Sequence, residues 1–178
     1  TGVRHGKSFE WKRKFTRSAG ALPAKRFTMP HSIQMAEARM SLPAFHMAFP
    51  VDDLTLTRNF YLDVLGCTEG RSDKDWVDLN FYGHQIVAYR VPGEARRRIT
   101  SPVDGDEVPV RHFGCVLPMA EWEKLRDRLV KAGVKFIIEP QIRFEGTIGE
   151  QAAMFFLDPS GNAIEFKAFK DPSKLFSK

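Results

Sequence analysis

Cysteine is scarce in this 178-residue chain, which contains only Cys67 and Cys115. The two form no CxxC pair, which argues against a disulfide framework and a zinc–thiolate site and suits a reducing compartment. No apolar run approaches the length that a membrane span requires, so no membrane partner is expected. We therefore expect a cytoplasmic protein.

Acidic residues are scarce in residues 1–40, where nine Lys or Arg accompany only two acids. This segment carries a formal charge of +7, whereas residues 41–178 carry −2. The part expected to fold is therefore mildly acidic, which removes the electrostatic basis for nucleic-acid binding. Three interpretations of the basic segment stay open: a mitochondrial or plastid targeting leader, a disordered extension, or sequence upstream of a later methionine start.

Apolar residues are plentiful, at 43% of the chain with 15 Phe, so residues 41–178 can build a core. Their periodicity predicts a strand, a helix and further strands, twice over. The first set has strands at 43–51, 76–82 and 85–91, and a helix ending at Gly66 with Leu56, Phe60 and Val64 on one face. The second set has strands at 110–117, 134–139, 151–157 and 162–169, and a helix at 118–132 with Trp122, Leu125 and Leu129 inward. Residues 92–109, with three prolines and two glycines, are predicted to be a linker.

The repeat extends to individual residues. Phe45-His46-Met47-Ala48 aligns with Arg111-His112-Phe113-Gly114, and the strand that contains Val87 aligns with the one that contains Glu165. Glu165 lies between two apolar neighbours, and a buried carboxylate needs a cation or a hydrogen-bond partner. Because side chains alternate along a strand, two modules joined edge to edge would direct His46, His112 and Glu165 into one cavity.

Two histidines and one carboxylate form a recognisable metal-ligand set. They bind one face of a metal and leave neighbouring positions open, as in non-haem Fe(II) oxygenases. Mn(II) fits the same ligands, and Zn(II) fits them with an activated water. The ligand types favour Fe(II) without excluding the other two metals.

Three segments carry a family resemblance: PAFHMAFPVDDLTLTRNFYLDVLGC, VRHFGCVLP and FFLDPSGNAIEFKAF. They resemble the vicinal oxygen chelate superfamily, which includes glyoxalase I, the extradiol dioxygenases, and the bleomycin and fosfomycin resistance proteins. The segments YGHQIVAY, PVDG and EPQIRFEGTIGEQ look most like the predicted extradiol-dioxygenase-like branch. The resemblance implies an α+β fold of two βαβββ modules, paired edge to edge as a partly open mixed β-barrel around a metal cavity. It also implies a homodimer.

Carried over by position, the resemblance assigns His46, His112 and Glu165 as metal ligands. Glyoxalase I-like members need a fourth ligand where this chain has Val87, so the three-ligand, dioxygenase-like pattern is favoured. All three tyrosines lie in the first half, away from the place of the usual acid/base residues of extradiol enzymes. Tyr89 or His84 would have to substitute for them. Three residues are candidates for substrate binding: Gln85, Arg143 and Glu150.

Three functions are consistent with these observations. The first is an Fe(II) dioxygenase that chelates two neighbouring oxygens of a small aromatic or enolic substrate. The second is a small-molecule binding or resistance protein of the same fold. The third is a metal-dependent isomerase, lyase or transferase without dioxygen chemistry, similar to glyoxalase.

Overall fold

The computed structural model of the chain describes residues 43–96 and 99–177. These residues belong to one compact unit. The basic segment 1–40, with the three interpretations given for it, lies outside the described residues. Within the described ranges, no helix combines the length and apolar character needed to cross a membrane.

The first module is a four-stranded sheet with one helix. Its elements are β1 (His46–Val51), α1 (Leu54–Arg58, continued by a π-helical segment Asn59–Val64), β2 (Thr68–Asp73), β3 (Trp76–Phe81) and β4 (His84–Arg90). The strand order is β1-β4-β3-β2, with β1 parallel to β4 and the other pairs antiparallel. Asp53 caps α1 by accepting a hydrogen bond from the backbone N–H of Leu56 at 2.8 Å. Gly66 follows the helical stretch with a positive φ of 77°, as predicted for its stop signal.

The predicted linker contains structure of its own. A short 3-10 helix (Glu94–Arg96) precedes a hairpin of β5 (Thr100–Val103) and β6 (Asp106–Pro109). The two turn residues, Asp104 and Gly105, have φ values of 52° and 84°. Positive φ at both positions is typical of the tight turn that matches the twist of a hairpin, and Asp-Gly is a preferred sequence for it. The segment still connects the two modules, and the hairpin within it was not predicted.

The second module repeats the first. Its elements are β7 (His112–Val116), α2 (Met119–Lys131), β8 (Phe136–Arg143), β9 (Gln151–Leu157) and β10 (Ala163–Phe169). The strand order is β7-β10-β9-β8, with β7 parallel to β10. The predicted α+β class and the two βαβββ modules are confirmed, and the predicted inward residues of α2, namely Trp122, Leu125 and Leu129, are buried.

Two local predictions differ from the structure. Strand β2 has six exposed residues and no hydrophobic alternation, so its sequence did not indicate a strand. In the first helix, Phe60 and Val64 of the predicted inner face pack against the core, but Leu56 is 55% exposed, and Leu54 and Thr57 are buried instead. Tyr61 in the π-helical segment is also buried, and its hydroxyl donates a hydrogen bond to Asp158 at 3.2 Å.

The two sheets share one hydrophobic core and do not close into a barrel. The core includes apolar side chains from both sheets and both helices. The rings of Phe81 on β3 and Phe166 on β10 have centroids 5.6 Å apart. Within the described residues, no strand of one four-stranded sheet is hydrogen-bonded to a strand of the other. The modules therefore meet through their apolar faces, which differs from the predicted edge-to-edge arrangement.

Candidate functional site

The strand registers reproduce the predicted equivalence of the two modules. In the first, His46 pairs with Gln85 and Ala48 pairs with Val87. In the second, His112 pairs with Ala163 and Gly114 pairs with Glu165. The two histidines thus occupy equivalent positions, and Val87 occupies the place of Glu165. All of these side chains lie on the sheet faces opposite the shared core, since their alternate neighbours, listed next, pack into it: Met47, Phe49, Ile86, Phe113, Ile164 and Phe166.

Two of the three predicted ligands are in contact. Nε2 of His112 lies 3.3 Å from Oε2 of Glu165, a carboxylate that is only 6% exposed. The other ring nitrogen of His112, Nδ1, lies at hydrogen-bond distance from the carbonyl oxygen of Pro109. A carbonyl oxygen only accepts, so Nδ1 carries a hydrogen and Nε2 is the atom directed at Glu165. The ring is therefore held in the orientation that a metal ligand needs.

Each partner shifts the pKa of the other. The hydrogen bond with Glu165 raises the pKa of His112, although burial opposes the shift. Burial raises the pKa of Glu165, but hydrogen bonds from His112 and Lys167 outweigh it and leave that pKa below its usual value. Glu165 is thus a buried carboxylate that is stabilised in its charged form.

Lys167 is the third member of this cluster, and our sequence analysis did not identify it. Its Nζ lies 3.0 Å from the same Oε2 of Glu165. The side chain is 29% exposed, so the ammonium lies at the rim of the site. Because Lys167 is two residues beyond Glu165, alternation places both on one face, and this signal was present in the sequence.

His46 lies on the other sheet, within a different set of contacts. Its Nδ1 lies 2.8 Å from Oε1 of Gln85, whose Nε2 donates to Oδ2 of Asp78 at 3.2 Å. The exposed guanidinium of Arg71 also contacts that buried carboxylate at 3.2 Å. The predicted substrate-binding residue Gln85 therefore contacts a predicted ligand, His46, and the buried Asp78.

The three predicted ligands do not converge within one chain. In the described part of the chain, no group of three or more His, Cys, Asp or Glu side chains could hold a metal ion. The physical reason is the packing of the sheets, because His46 and the pair His112–Glu165 lie on faces that point away from the shared core. The donor set still fits a divalent metal: two histidines that present Nε2, and one ionised carboxylate.

The two predicted acid/base residues differ in position. His84 accepts a hydrogen bond from the backbone N–H of Phe45 at its Nδ1, over 3.1 Å, so the ring hydrogen is on Nε2. His84 borders a cavity of about 330 Å³ that Gln85 and Asp78 also line. Tyr89 is 45% exposed and lies four residues beyond Gln85, which is about 13 Å along a strand. His84 is therefore the better placed of the two.

The other two predicted substrate-binding residues have structural contacts. Arg143 is only 4% exposed, and it donates to the carbonyl oxygen of Val103 in the hairpin. Its guanidinium also lies near Asp104 and Asp106, at 3.6 and 3.8 Å. Glu150 accepts from the backbone N–H of Gly146 at 2.8 Å and pairs with Lys170 at 2.9 Å. These contacts attach the hairpin to β8 and close the loop before β9, and they do not support a substrate role.

Comparisons with known proteins agree with the fold described above. The family model "Glyoxalase/Bleomycin resistance protein/Dioxygenase superfamily" matches residues 44–166. A crystal structure of a glyoxalase/bleomycin resistance protein/dioxygenase from Alicyclobacillus acidocaldarius is 30% identical, with a TM-score of 0.67 over 78% of this chain and 99% of that chain. The fosfomycin resistance protein FosX from Listeria monocytogenes is 18% identical, with a TM-score of 0.57 over 76% and 98%, and shares the fold. The virulence protein STM3117 of Salmonella typhimurium is 25% identical over 78% of this chain and 89% of its own length.

Proposed function

Since this chain belongs to the glyoxalase, bleomycin resistance protein and dioxygenase superfamily, we propose that it is a metal-dependent enzyme. Its substrate is a small aromatic or enolic compound that presents two neighbouring oxygens. The ligands are His112 and Glu165 of one chain and His46 of a second copy. Fe(II) is the metal that this ligand set favours, with Mn(II) and Zn(II) as the alternatives.

The observation that carries the proposal is the contact between His112 and Glu165. Nε2 of the histidine faces Oε2 of the carboxylate at 3.3 Å. In the neutral ring both atoms are acceptors, because Nδ1 holds the only ring hydrogen in its bond with Pro109. Two facing acceptors repel each other unless a cation lies with them. In the metal-free protein a proton on Nε2 supplies this positive charge, and a divalent metal supplies a greater one.

The packing of the sheets supports a second copy as the source of His46. Both ligand-bearing faces are accessible: His46 and Ala48 are exposed in one module, and His112 and Val116 in the other. In the proposed homodimer, the outer face of the first module of each chain lies against the outer face of the second module of the other chain. This arrangement completes two equivalent sites. Closed two-fold assemblies of this kind are the commonest oligomers.

The chemistry divides between the metal and the chain. A divalent ion held by His112, Glu165 and the partner's His46 would supply a Lewis acid that two neighbouring substrate oxygens could coordinate. Lys167 carries positive charge at the rim of the site, which favours a substrate with an anionic or enolate oxygen. His84 offers Nε2–H as a hydrogen-bond donor from the edge of the other face. Glu165 and His112 are held by their mutual contact and by those with Lys167 and the Pro109 carbonyl, so the site is organised before substrate arrives.

A second candidate function follows from the position of Tyr89. The second module contains no tyrosine, and Tyr89 is about 13 Å along its strand from the level of His46. A site without an acid/base tyrosine also suits an isomerase or lyase, or a binding protein that sequesters a small molecule. A fosfomycin resistance protein shares the fold, so a role in resistance is a further form of this alternative.

The first experiment separates these functions. The chain is purified without chelator and its metal content is measured. It is then loaded anaerobically with Fe(II) and mixed with catechols while oxygen uptake is recorded. Metal with oxygen uptake supports the dioxygenase, and metal without uptake supports the isomerase or lyase. Protein that retains no divalent metal under any loading condition contradicts the metal-dependent proposal and leaves the binding protein.

The second experiment tests the shared site by mixing two inactive variants. One chain carries His46→Ala, and the other carries His112→Ala with Glu165→Gln. A mixed dimer with shared sites contains one intact ligand set, so metal binding should return to about one ion per dimer. Sites within single chains would give no recovery, because each chain then lacks at least one ligand of its own. Each variant alone is the matched control.

A further inference from the structure

The first module contains a chain of contacts that reaches His46 from a buried carboxylate. Asp78 on β3 is buried, and its Oδ2 accepts from Nε2 of Gln85 at 3.2 Å. The same oxygen contacts the guanidinium of Arg71, also at 3.2 Å. An ionised carboxylate accepts hydrogen bonds and does not donate them. The amide nitrogen of Gln85, and not its oxygen, must therefore face Asp78.

The orientation of Gln85 then determines the hydrogen on His46. With its nitrogen committed to Asp78, Gln85 presents Oε1 to Nδ1 of His46 at 2.8 Å. An amide oxygen only accepts, so Nδ1 of His46 carries the hydrogen. A neutral imidazole has one ring hydrogen, and Nε2 of His46 is left with a free lone pair.

We propose that Asp78 and Gln85 are positioning residues that hold His46 in this single neutral form, ready to bind a cation through Nε2. In metal sites, such partners orient a histidine ligand and select the nitrogen that binds. That a cation binds to His46 rests on the proposed function, whereas the position of the ring hydrogen does not. Asp78 acts through Gln85, and Gln85 acts through His46.

The second module places the hydrogen on the same ring nitrogen, Nδ1, by a different contact. His112 directs Nδ1 at the backbone carbonyl of Pro109. The strand registers place Ala163 beside His112, where the first module places Gln85 beside His46. Alanine has no acceptor, so the second module takes its acceptor from the backbone. Both histidines present Nε2 although the two sets of neighbours are unrelated in sequence, which is the arrangement that shared ligation requires.

The test reads the ring hydrogen directly in metal-free protein. Correlation of imidazole nitrogens and carbon-bound hydrogens by NMR, about two pH units above the usual histidine pKa, distinguishes the two neutral forms. We expect the wild-type His46 to be in the Nδ1–H form. Gln85→Met should give a mixture of both forms, because it removes the acceptor that faces Nδ1 of His46. Asp78→Asn should give a partial mixture, since an amide permits Gln85 to turn over.

Asn80→Ala is the control, because Asn80 lies on β3 with Asp78. Its side-chain oxygen accepts a hydrogen bond from the backbone N–H of Gly83 and not from His46 or Gln85. This variant should leave His46 in the wild-type form. A parallel titration with Zn(II) should show binding weakened about 10- to 100-fold in Gln85→Met. A Gln85→Met protein with the wild-type ring form, or with unchanged Zn(II) affinity, overturns the proposal. If the wild type binds no divalent ion, the proposed function fails, and the NMR result still decides the positioning role.

Discussion

The backbone carbonyl oxygen of Glu165 lies 1.5 Å from the point where a Cβ on Gly114 would be. The two residues are register partners in the parallel pair of β7 and β10. No side chain fits at position 114 without moving the strand that carries the proposed carboxylate ligand. In the first module the equivalent pair is Ala48 and Val87, and there a Cβ is present.

Gly114→Ala should therefore damage the site and the fold together. We expect a loss of about 1–3 kcal/mol of unfolding free energy, because backbone must shift to admit the methyl group. Denaturant unfolding measures this loss, and metal titration measures the displacement of Glu165. Ala48→Gly is the matched control, with an expected cost of about 0.5–1 kcal/mol for a glycine in a strand. Equal stability of wild type and Gly114→Ala would show that the two strands can separate freely at this point.

Metal addition should stabilise the wild type through the proposed ligands. At a free metal concentration 100 times the Kd, linkage predicts about 2.7 kcal/mol of added stability. Glu165→Gln should remove most of this gain, since a neutral amide is a weaker ligand than a carboxylate. Thermal unfolding with and without Fe(II) or Zn(II) provides the measurement. Glu139→Gln, at an exposed position on β8, should keep the full shift. A full shift in Glu165→Gln would remove Glu165 from the ligand set.

Lys167 should determine the preference for anionic ligands. Loss of a charge-assisted hydrogen bond costs about 1.5–3 kcal/mol. The metal-loaded Lys167→Met variant should therefore bind oxalate at least about tenfold more weakly than the wild type does. Lys167→Arg should keep part of the affinity. Calorimetric titration with oxalate gives the comparison, and Lys135→Met, at an exposed position outside the cluster, serves as control. Unchanged oxalate affinity in Lys167→Met would leave the lysine with no role beyond its contact with Glu165.

Arg143 should contribute to stability and not to substrate binding. Arg143→Met leaves the carbonyl of Val103 without its donor and removes the positive charge beside Asp104 and Asp106. We expect a loss of about 1–3 kcal/mol in unfolding free energy, measured by denaturant titration. Arg90→Met breaks an exposed ion pair with Asp75 and should cost less than about 1 kcal/mol. Wild-type unfolding free energy in Arg143→Met would contradict this structural role.

The duplicated module, and the strand face on which each candidate ligand lies, could be predicted from the amino-acid sequence. Strand alternation is a local property with a period of two, so the equivalence of His46 with His112 and of Val87 with Glu165 could be read from neighbouring residues. The same rule could have found Lys167. The hairpin in the predicted linker was also readable from Asp104-Gly105, although proline and glycine content obscured it.

Which faces of the two sheets pack against each other could be learned only from the folded structure. The sheets pack through their apolar faces into one core, and this separates His46 from His112 and Glu165 within a chain. Folding also brought Arg143 to the backbone carbonyl of Val103, a residue 40 positions earlier in the chain, and no local pattern encodes that contact. The physical reason is that hydrophobic packing depends on the total apolar surface that the modules can bury against each other. Periodicity within one strand carries no information about that partner.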